Sequence, residues 1–145
     1  MSLNNSIKML NAVSIGTALF GIAMVLALFT PLAQVLDVFL DLAHFPLDAQ
    51  QSANTETERL LVAICGGLLV GLAVLVWMVT NLVYAENPAL GARIIATGLL
   101  AWFFPDSIGS AVAGAWFNIF MNSLFLLLFL WPLRGSLQSA RNANT

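Results

Sequence analysis

A long stretch with almost no charge dominates the second half of this sequence. It runs between Arg93 and Arg134 and contains a single ionisable side chain, Asp106. A helix of about twenty apolar residues crosses the hydrocarbon core of a bilayer, and this stretch is about twice as long. It therefore predicts two membrane spans folded back as a helical hairpin, in which the few polar residues are the first candidates for function.

The rest of the chain has the same apolar character. Of its 145 residues, 60% are hydrophobic and 8% are charged, whereas a soluble domain carries roughly a quarter charged residues. We therefore predict a single all-α integral membrane domain, residues 1–145: a four-transmembrane-helix bundle with an amphipathic interfacial helix between helices 1 and 2. The predicted spans cover residues 12–30, 60–84, 90–112 and 116–133. The first span has a signal peptide as its alternative, but its core is long and no small-residue cleavage site follows it.

Several classes of function are disfavoured by the residues present. With five basic residues and a net charge of −2, the chain lacks the basic surface that nucleic-acid binding requires. Cys65 is the only cysteine, so the sequence has neither an internal disulfide nor a thiolate metal site. His44 is the only histidine and has no serine or cysteine nucleophile in its segment. We favour a role without catalysis over an enzyme, and the sequence identifies no cofactor, with a quinone or lipid as the alternative.

Residues 33–45 are patterned as a helix that lies on the membrane surface. Asp37, Asp41, His44 and Asp48 follow one another at intervals of four, three and four residues, on one helix stripe, and the other faces are apolar. These side chains suit a divalent metal site. We favour the alternative, a solvent-facing stripe, because Pro46 ends the helix before Asp48.

The predicted second span carries small residues four apart. They are Ala63, Gly67 and Gly71, and such ridges let helices approach closely in lipid. The pattern predicts a contact with another helix of the same chain or, alternatively, self-association with a second copy. Neither interpretation involves a ligand.

Two folds are open for the hairpin between Arg93 and Arg134. The third helix could end at Pro105, which would leave Asp106 at the start of the fourth. Alternatively, the helix continues through Pro105 and the chain reverses near Gly114. We favour the second fold, because residues equally far from Gly114 then lie at equal depth and the buried polar atoms gain partners.

The favoured reversal assembles a candidate binding site in the outer half of the bundle. It places Asp106 opposite Asn122 and Ser110 opposite Asn118, and Arg59 begins the second span on the same side as the predicted counter-ion. One interpretation is a polar pocket that binds a small amphiphile, such as a lipid head group or a quinone. The other is that these side chains only hold helices together.

The basic residues predict the orientation. Lys8, Arg93, Arg134 and Arg141 fall on one side of a four-span topology, and Arg59 falls on the other. The positive-inside rule then places both termini in the cytoplasm and residues 32–58 outside. The expected location is the cytoplasmic membrane, with the lipid bilayer as the first partner.

Two stretches give the chain a resemblance to a known group. ETERLLVAICGG opens the second span and GLLAWFFPDSIGSAVAG lies in the third, and with its four spans the chain is similar to small bacterial membrane proteins of the DoxX-like group. The resemblance implies a four-helix bundle in a bacterial inner membrane and an association with redox or quinone-linked complexes. It assigns no binding residue. From the residues, we expect a non-catalytic accessory or scaffold subunit of a membrane complex or homo-oligomer, with a carrier of a small amphiphile as the alternative.

Overall fold

The computed structural model describes residues 1–142, and this part of the chain is entirely helical apart from its connections. The helices are α1 (Leu3–Ala27), α2 (Ala33–His44), α3 (Glu56–Val79), α4 (Pro88–Val112) and α5 (Trp116–Asn142), with a π-helical segment (Thr80–Tyr84) that extends α3. Four of these helices are long and apolar enough to cross a membrane. The predicted all-α fold with four apolar helices is confirmed, and it indicates a small multi-pass membrane protein.

The first and last helices extend nine residues each beyond one end of the predicted spans. The first begins at Leu3 because Ser2 caps it: the Ser2 side chain accepts a hydrogen bond from the Asn5 N–H at 3.4 Å. The last continues beyond Arg134 to Asn142. Leu137 packs against the core there, so this polar segment gains tertiary contacts that its composition did not reveal.

The hairpin of α4 and α5 reverses at the predicted place. The α4 helix passes through Pro105 without ending and continues to Val112. Gly114 then has a φ of +77°, a left-handed conformation that glycine adopts without steric cost. The alternative fold, with a reversal at Pro105, is wrong.

The helices α1 and α3 touch through their backbones. A methyl group added to Gly21 would lie 2.6 Å from the carbonyl oxygen of Gly66, and one added to Gly66 would lie 2.7 Å from that of Gly21. Both distances are too short for a real contact, so only glycine permits this approach. An added Cβ at Gly67 or Gly71 meets nothing within 4 Å, so the predicted contact of these two glycines with another helix of this chain is wrong.

Two apolar clusters define the two ends of the bundle. The main core joins all four long helices near the end at which Leu3, Pro88 and Arg134 lie, hereafter the terminal end. Its buried members are Leu10, Val76, Tyr84, Ala92, Ile95, Leu99, Leu126, Phe129 and Leu133. A second, smaller cluster packs α2 against α1 and α3 at the opposite end, hereafter the α2 end.

The π-helical segment has a local cause in the sequence. The Thr80 hydroxyl donates to the carbonyl oxygen of Val76 at 2.7 Å, and the Asn81 amide donates to that of Trp77 at 2.6 Å. Side chains that bond backbone carbonyls in this way compete with the regular helical ladder. The wider turn places Tyr84 directly against Gly91, where an added Cβ would lie 2.4 Å from the Tyr84 Cα.

We predict that Gly21→Ala destabilises the bundle by about 1–3 kcal/mol, because the new methyl group must push α1 away from α3. The measurement is the unfolding midpoint followed by far-UV circular dichroism during titration with a denaturing detergent. Gly16→Ala is the matched control on the same helix, where an added Cβ meets nothing within 4 Å. Equal effects of the two substitutions would show that the backbone contact does not limit stability.

Candidate functional site

The end of α4 and the start of α5 bring four polar side chains into two hydrogen-bonded pairs. The Asn122 amide nitrogen donates to Asp106 Oδ2 at 2.7 Å, and the Asn118 amide nitrogen donates to Ser110 Oγ at 2.9 Å. Both predicted pairings are confirmed. We call these four residues the hairpin clasp. Ser110 and Asn122 are buried, so each pair satisfies polar atoms that would otherwise be left without partners.

The clasp has a limited chemical capacity. The Asn118 amide bonds the Ser110 hydroxyl and the Asn122 amide bonds one carboxylate oxygen of Asp106. The other carboxylate oxygen makes no hydrogen bond to the part of the chain that the structure describes. The neighbouring Ser107 hydroxyl is buried and likewise has no partner within residues 1–142. The arrangement can therefore hold two helices together and offer an acceptor. It contains no histidine or thiol for proton transfer or nucleophilic attack.

Arg59, the predicted counter-ion of Asp106, is engaged elsewhere. Its Nη2 donates to the carbonyl oxygen of Leu28, the residue that caps the C-terminus of α1. The reason is the packing: at the α2 end α3 lies along α1, so the carbonyl at the end of α1 is the acceptor nearest to this guanidinium. The structure unites four of the five predicted site residues and leaves Arg59 outside the group.

The acidic stripe of α2 holds the connection between α2 and α3. Asp41, which is only 4% exposed, accepts hydrogen bonds from the backbone N–H groups of Ala49 at 3.0 Å and Gln50 at 3.2 Å. Asp37 accepts one from the N–H of Ala53 at 3.3 Å. The expectation of a solvent-facing stripe is wrong for these two side chains, because the returning loop lies across them.

The remaining members of the stripe do not complete a metal site. The Nδ1 atom of His44 lies 3.1 Å from the carbonyl oxygen of Leu40, and Asp48 accepts from the N–H of Gln50 at 3.2 Å. Within the described residues, no three His, Cys, Asp or Glu side chains lie close enough to hold a metal ion. The backbone hydrogen bond from Ala49, more than any other contact, lowers the pKa of Asp41, so this carboxylate stays charged in neutral solution and keeps the loop attached.

Two polar contacts between helices were not predicted from the sequence. Asn11 of α1 and Asn81 of the π-helical segment exchange amide hydrogen bonds of 3.1 and 2.9 Å. The Tyr84 hydroxyl lies 3.0 Å from that of Ser136 on α5. The sequence shows these polar residues near the ends of apolar helices. It does not show how the helices are aligned with one another, and that alignment decides which polar residues pair.

Comparison with known protein families, with curated proteins and with solved structures finds no match for this chain. The clasp and its surroundings must therefore be interpreted from their own geometry.

We predict that Asp106→Asn keeps most of the stability of the bundle, because an amide oxygen still accepts the hydrogen bond from Asn122. Asp106→Leu removes the acceptor and lowers the free energy of unfolding by about 1 kcal/mol. The matched control is Thr97→Leu, at an exposed polar position of the same helix, which should leave stability unchanged. Detergent titration monitored by circular dichroism measures all three variants. If Asp106→Asn is as damaging as Asp106→Leu, the carboxylate is needed for its charge and not as a hydrogen-bond acceptor.

Proposed function

We propose that this chain is a non-catalytic scaffold of the membrane that assembles through α3, as a homo-oligomer or as an accessory subunit of a membrane complex. The observation that carries the proposal is the exposed pair Gly67 and Gly71. Both lie on the face of α3 turned away from α1, and an added Cβ at either would meet nothing within 4 Å. Gly66 packs against α1 within this chain, whereas the surface formed by Gly67 and Gly71 has no partner among the described residues.

The surroundings of these glycines support association with another helix. The two glycines are flanked by exposed apolar side chains, those of Ile64, Leu68 and Leu75. The surface is therefore apolar, and its centre lacks side chains that would keep another helix at a distance. In lipid, helices gain little from burying apolar area, and close backbone approach at small residues is what favours pairing. Ala63, the third residue of the predicted ridge, packs partly against the second cluster of this chain, so the proposed seam centres on Gly67 and Gly71.

The alternative function, a binder or carrier of a small amphiphile such as a lipid head group or quinone, has weaker support. It requires the clasp residues to turn toward a ligand, whereas the Asn118 amide bonds Ser110 and the Asn122 amide bonds Asp106. It also requires Arg59, which binds the end of α1. In its favour are the free carboxylate oxygen of Asp106 and the buried hydroxyl of Ser107. An Asp106→Asn variant that is stable but loses a co-purified amphiphile would support this alternative.

We also propose that α2 lies in the membrane interface at the outer leaflet, with both chain termini in the cytoplasm of a bacterial cell. Leu36 faces the bundle, while Val35 and Val38 are exposed on the opposite side of the helix. Exposed apolar side chains on one face of a short helix are favourable at the boundary of the acyl chains. The excess of lysine and arginine at the terminal end supports the orientation.

The oligomer is tested with fluorescently labelled protein in vesicles, by energy transfer at increasing lipid-to-protein ratio. We expect wild-type protein to associate and Gly71→Leu to weaken association by about tenfold, because the side chain separates the two backbones. Gly98→Leu on α4 is the control, since its added Cβ also meets nothing within 4 Å but lies outside the seam. If wild-type protein stays monomeric in vesicles and also purifies alone from its native membrane, the scaffold proposal is wrong.

The position of α2 is tested with a polarity-sensitive fluorophore attached to Val38→Cys in a Cys65→Ala background. We expect a blue-shifted emission when the protein is in vesicles, because the probe enters the interface. The same probe on Asp48→Cys, in the loop after α2, should report water. Matching spectra at the two positions would place α2 in solution.

A further inference from the structure

A half-open cavity lies at the terminal end of the bundle, where α1 begins, the π-helical segment meets α4 and α5 leaves the core. Its volume of about 850 Å³ falls within the range of small-molecule sites, about 300–1,000 Å³. It shares no residue with the hairpin clasp and lies at the opposite end of the bundle. The wall residues that matter for its chemistry are Tyr84, Asn87, Ala89, Arg134 and Ser136.

The charge in this wall is positive. Arg134 contributes its guanidinium, and no aspartate or glutamate is found among the described wall residues. The guanidinium carbon lies 3.8 Å from the ring centroid of Trp131, a cation–π contact that does not use the N–H donors in a conventional hydrogen bond. To the side chains of residues 1–139 and to the described backbone, this guanidinium makes no hydrogen bond or ion pair.

A pair of hydroxyls supplies another donor. Tyr84 Oη and Ser136 Oγ lie 3.0 Å apart, and each carries one hydrogen. Their mutual hydrogen bond uses one of the two hydrogens. The other has no acceptor in the part of the chain that the structure describes. Because Tyr84 is only 1% exposed, its ring is fixed and the hydroxyl pair is held at the cavity wall.

The first turn of α4 adds a backbone donor. Asn87 accepts the N–H of Leu90 on its side chain at 3.1 Å and that of Gly91 on its carbonyl oxygen at 2.9 Å. Pro88 has no N–H, so the N–H of Ala89 is the donor of this turn that remains without a helical partner. The positive end of the helix dipole lies in the same place.

We propose that this cavity binds a phosphate group, carried either by the head of an anionic phospholipid in the adjacent leaflet or by a free phosphate. A phosphate offers several acceptor oxygens to the donors of Arg134, of the hydroxyl pair and of Ala89, and the described wall residues carry no carboxylate that would repel it. The planar guanidinium matches two phosphate oxygens at once. The site is independent of the scaffold role proposed above, because it uses neither α3 glycine.

The test uses the full chain in a mild detergent and titrates three probes: dioctanoyl phosphatidic acid, inorganic phosphate, and dioctanoylglycerol, which lacks the phosphate. We expect the phosphatidic acid to bind and Arg134→Gln to weaken its binding by about tenfold. Lys8→Gln is the matched control, because this exposed lysine lies near the same end but outside the cavity wall. Its affinity should stay within about twofold of wild type.

A second variant keeps the test valid if Arg134→Gln fails to fold. Gly135 lies in the wall, and an added Cβ there meets nothing within 4 Å, so Gly135→Trp should fill the cavity and abolish binding with no loss of helix content. Binding of both phosphate probes identifies a site for the free anion, and binding of the phosphatidic acid alone identifies the lipid head group; either supports the proposal. It is overturned if neither phosphate probe binds, if dioctanoylglycerol binds as tightly as the phosphatidic acid, or if Lys8→Gln weakens binding as much as Arg134→Gln.

Discussion

The absence of water in the hydrocarbon core of a bilayer is the constraint on which this structure depends. A polar side chain placed there can be hydrogen-bonded only by the protein, because no water reaches it. Four asparagines in the apolar helices are bonded in this way: Asn118 and Asn122 bond residues of α4, and Asn11 of α1 bonds Asn81 of the π-helical segment. Each pair also fixes which helices are neighbours, so the polar residues specify the packing of an otherwise apolar bundle.

The sequence allowed the hairpin clasp to be predicted because a very short turn joins α4 to α5. When only residues 113–115 separate two helices, the helices are antiparallel neighbours, and residues equally far from the turn lie at equal depth. Gly114, with its positive φ, marks the point of reversal. The proline at residue 105 was the competing signal, but a proline inside a long helix can be accommodated where neighbouring groups satisfy the backbone.

The same reasoning failed for α1 and α3 because a long connection lies between them. From Leu28 to Thr55 the chain forms α2 and a loop, and a segment of that length leaves the register of its flanking helices open. Arg59 was therefore assigned to Asp106, and the glycines that touch were missed although a glycine ridge was recognised. To predict that Gly66 and not Gly67 contacts α1, one must know the rotation of α3 about its own axis. A helix that is apolar on all sides does not reveal this rotation.

The π-helical segment has a consequence for how the length of α3 can vary. A π turn holds one residue more than an α turn at nearly the same rise, so the five residues from Thr80 to Tyr84 absorb a single inserted position. Two close contacts lie on either side of this segment. Before it, Gly66 packs against Gly21, and at its end Tyr84 packs against Gly91; we call these two contacts the junctions. Removing one residue from the π-helical segment would therefore return it to a regular α turn and keep both junctions in place. Removing one residue from the α-helical part of α3 between the junctions would instead turn them against each other by about 100°.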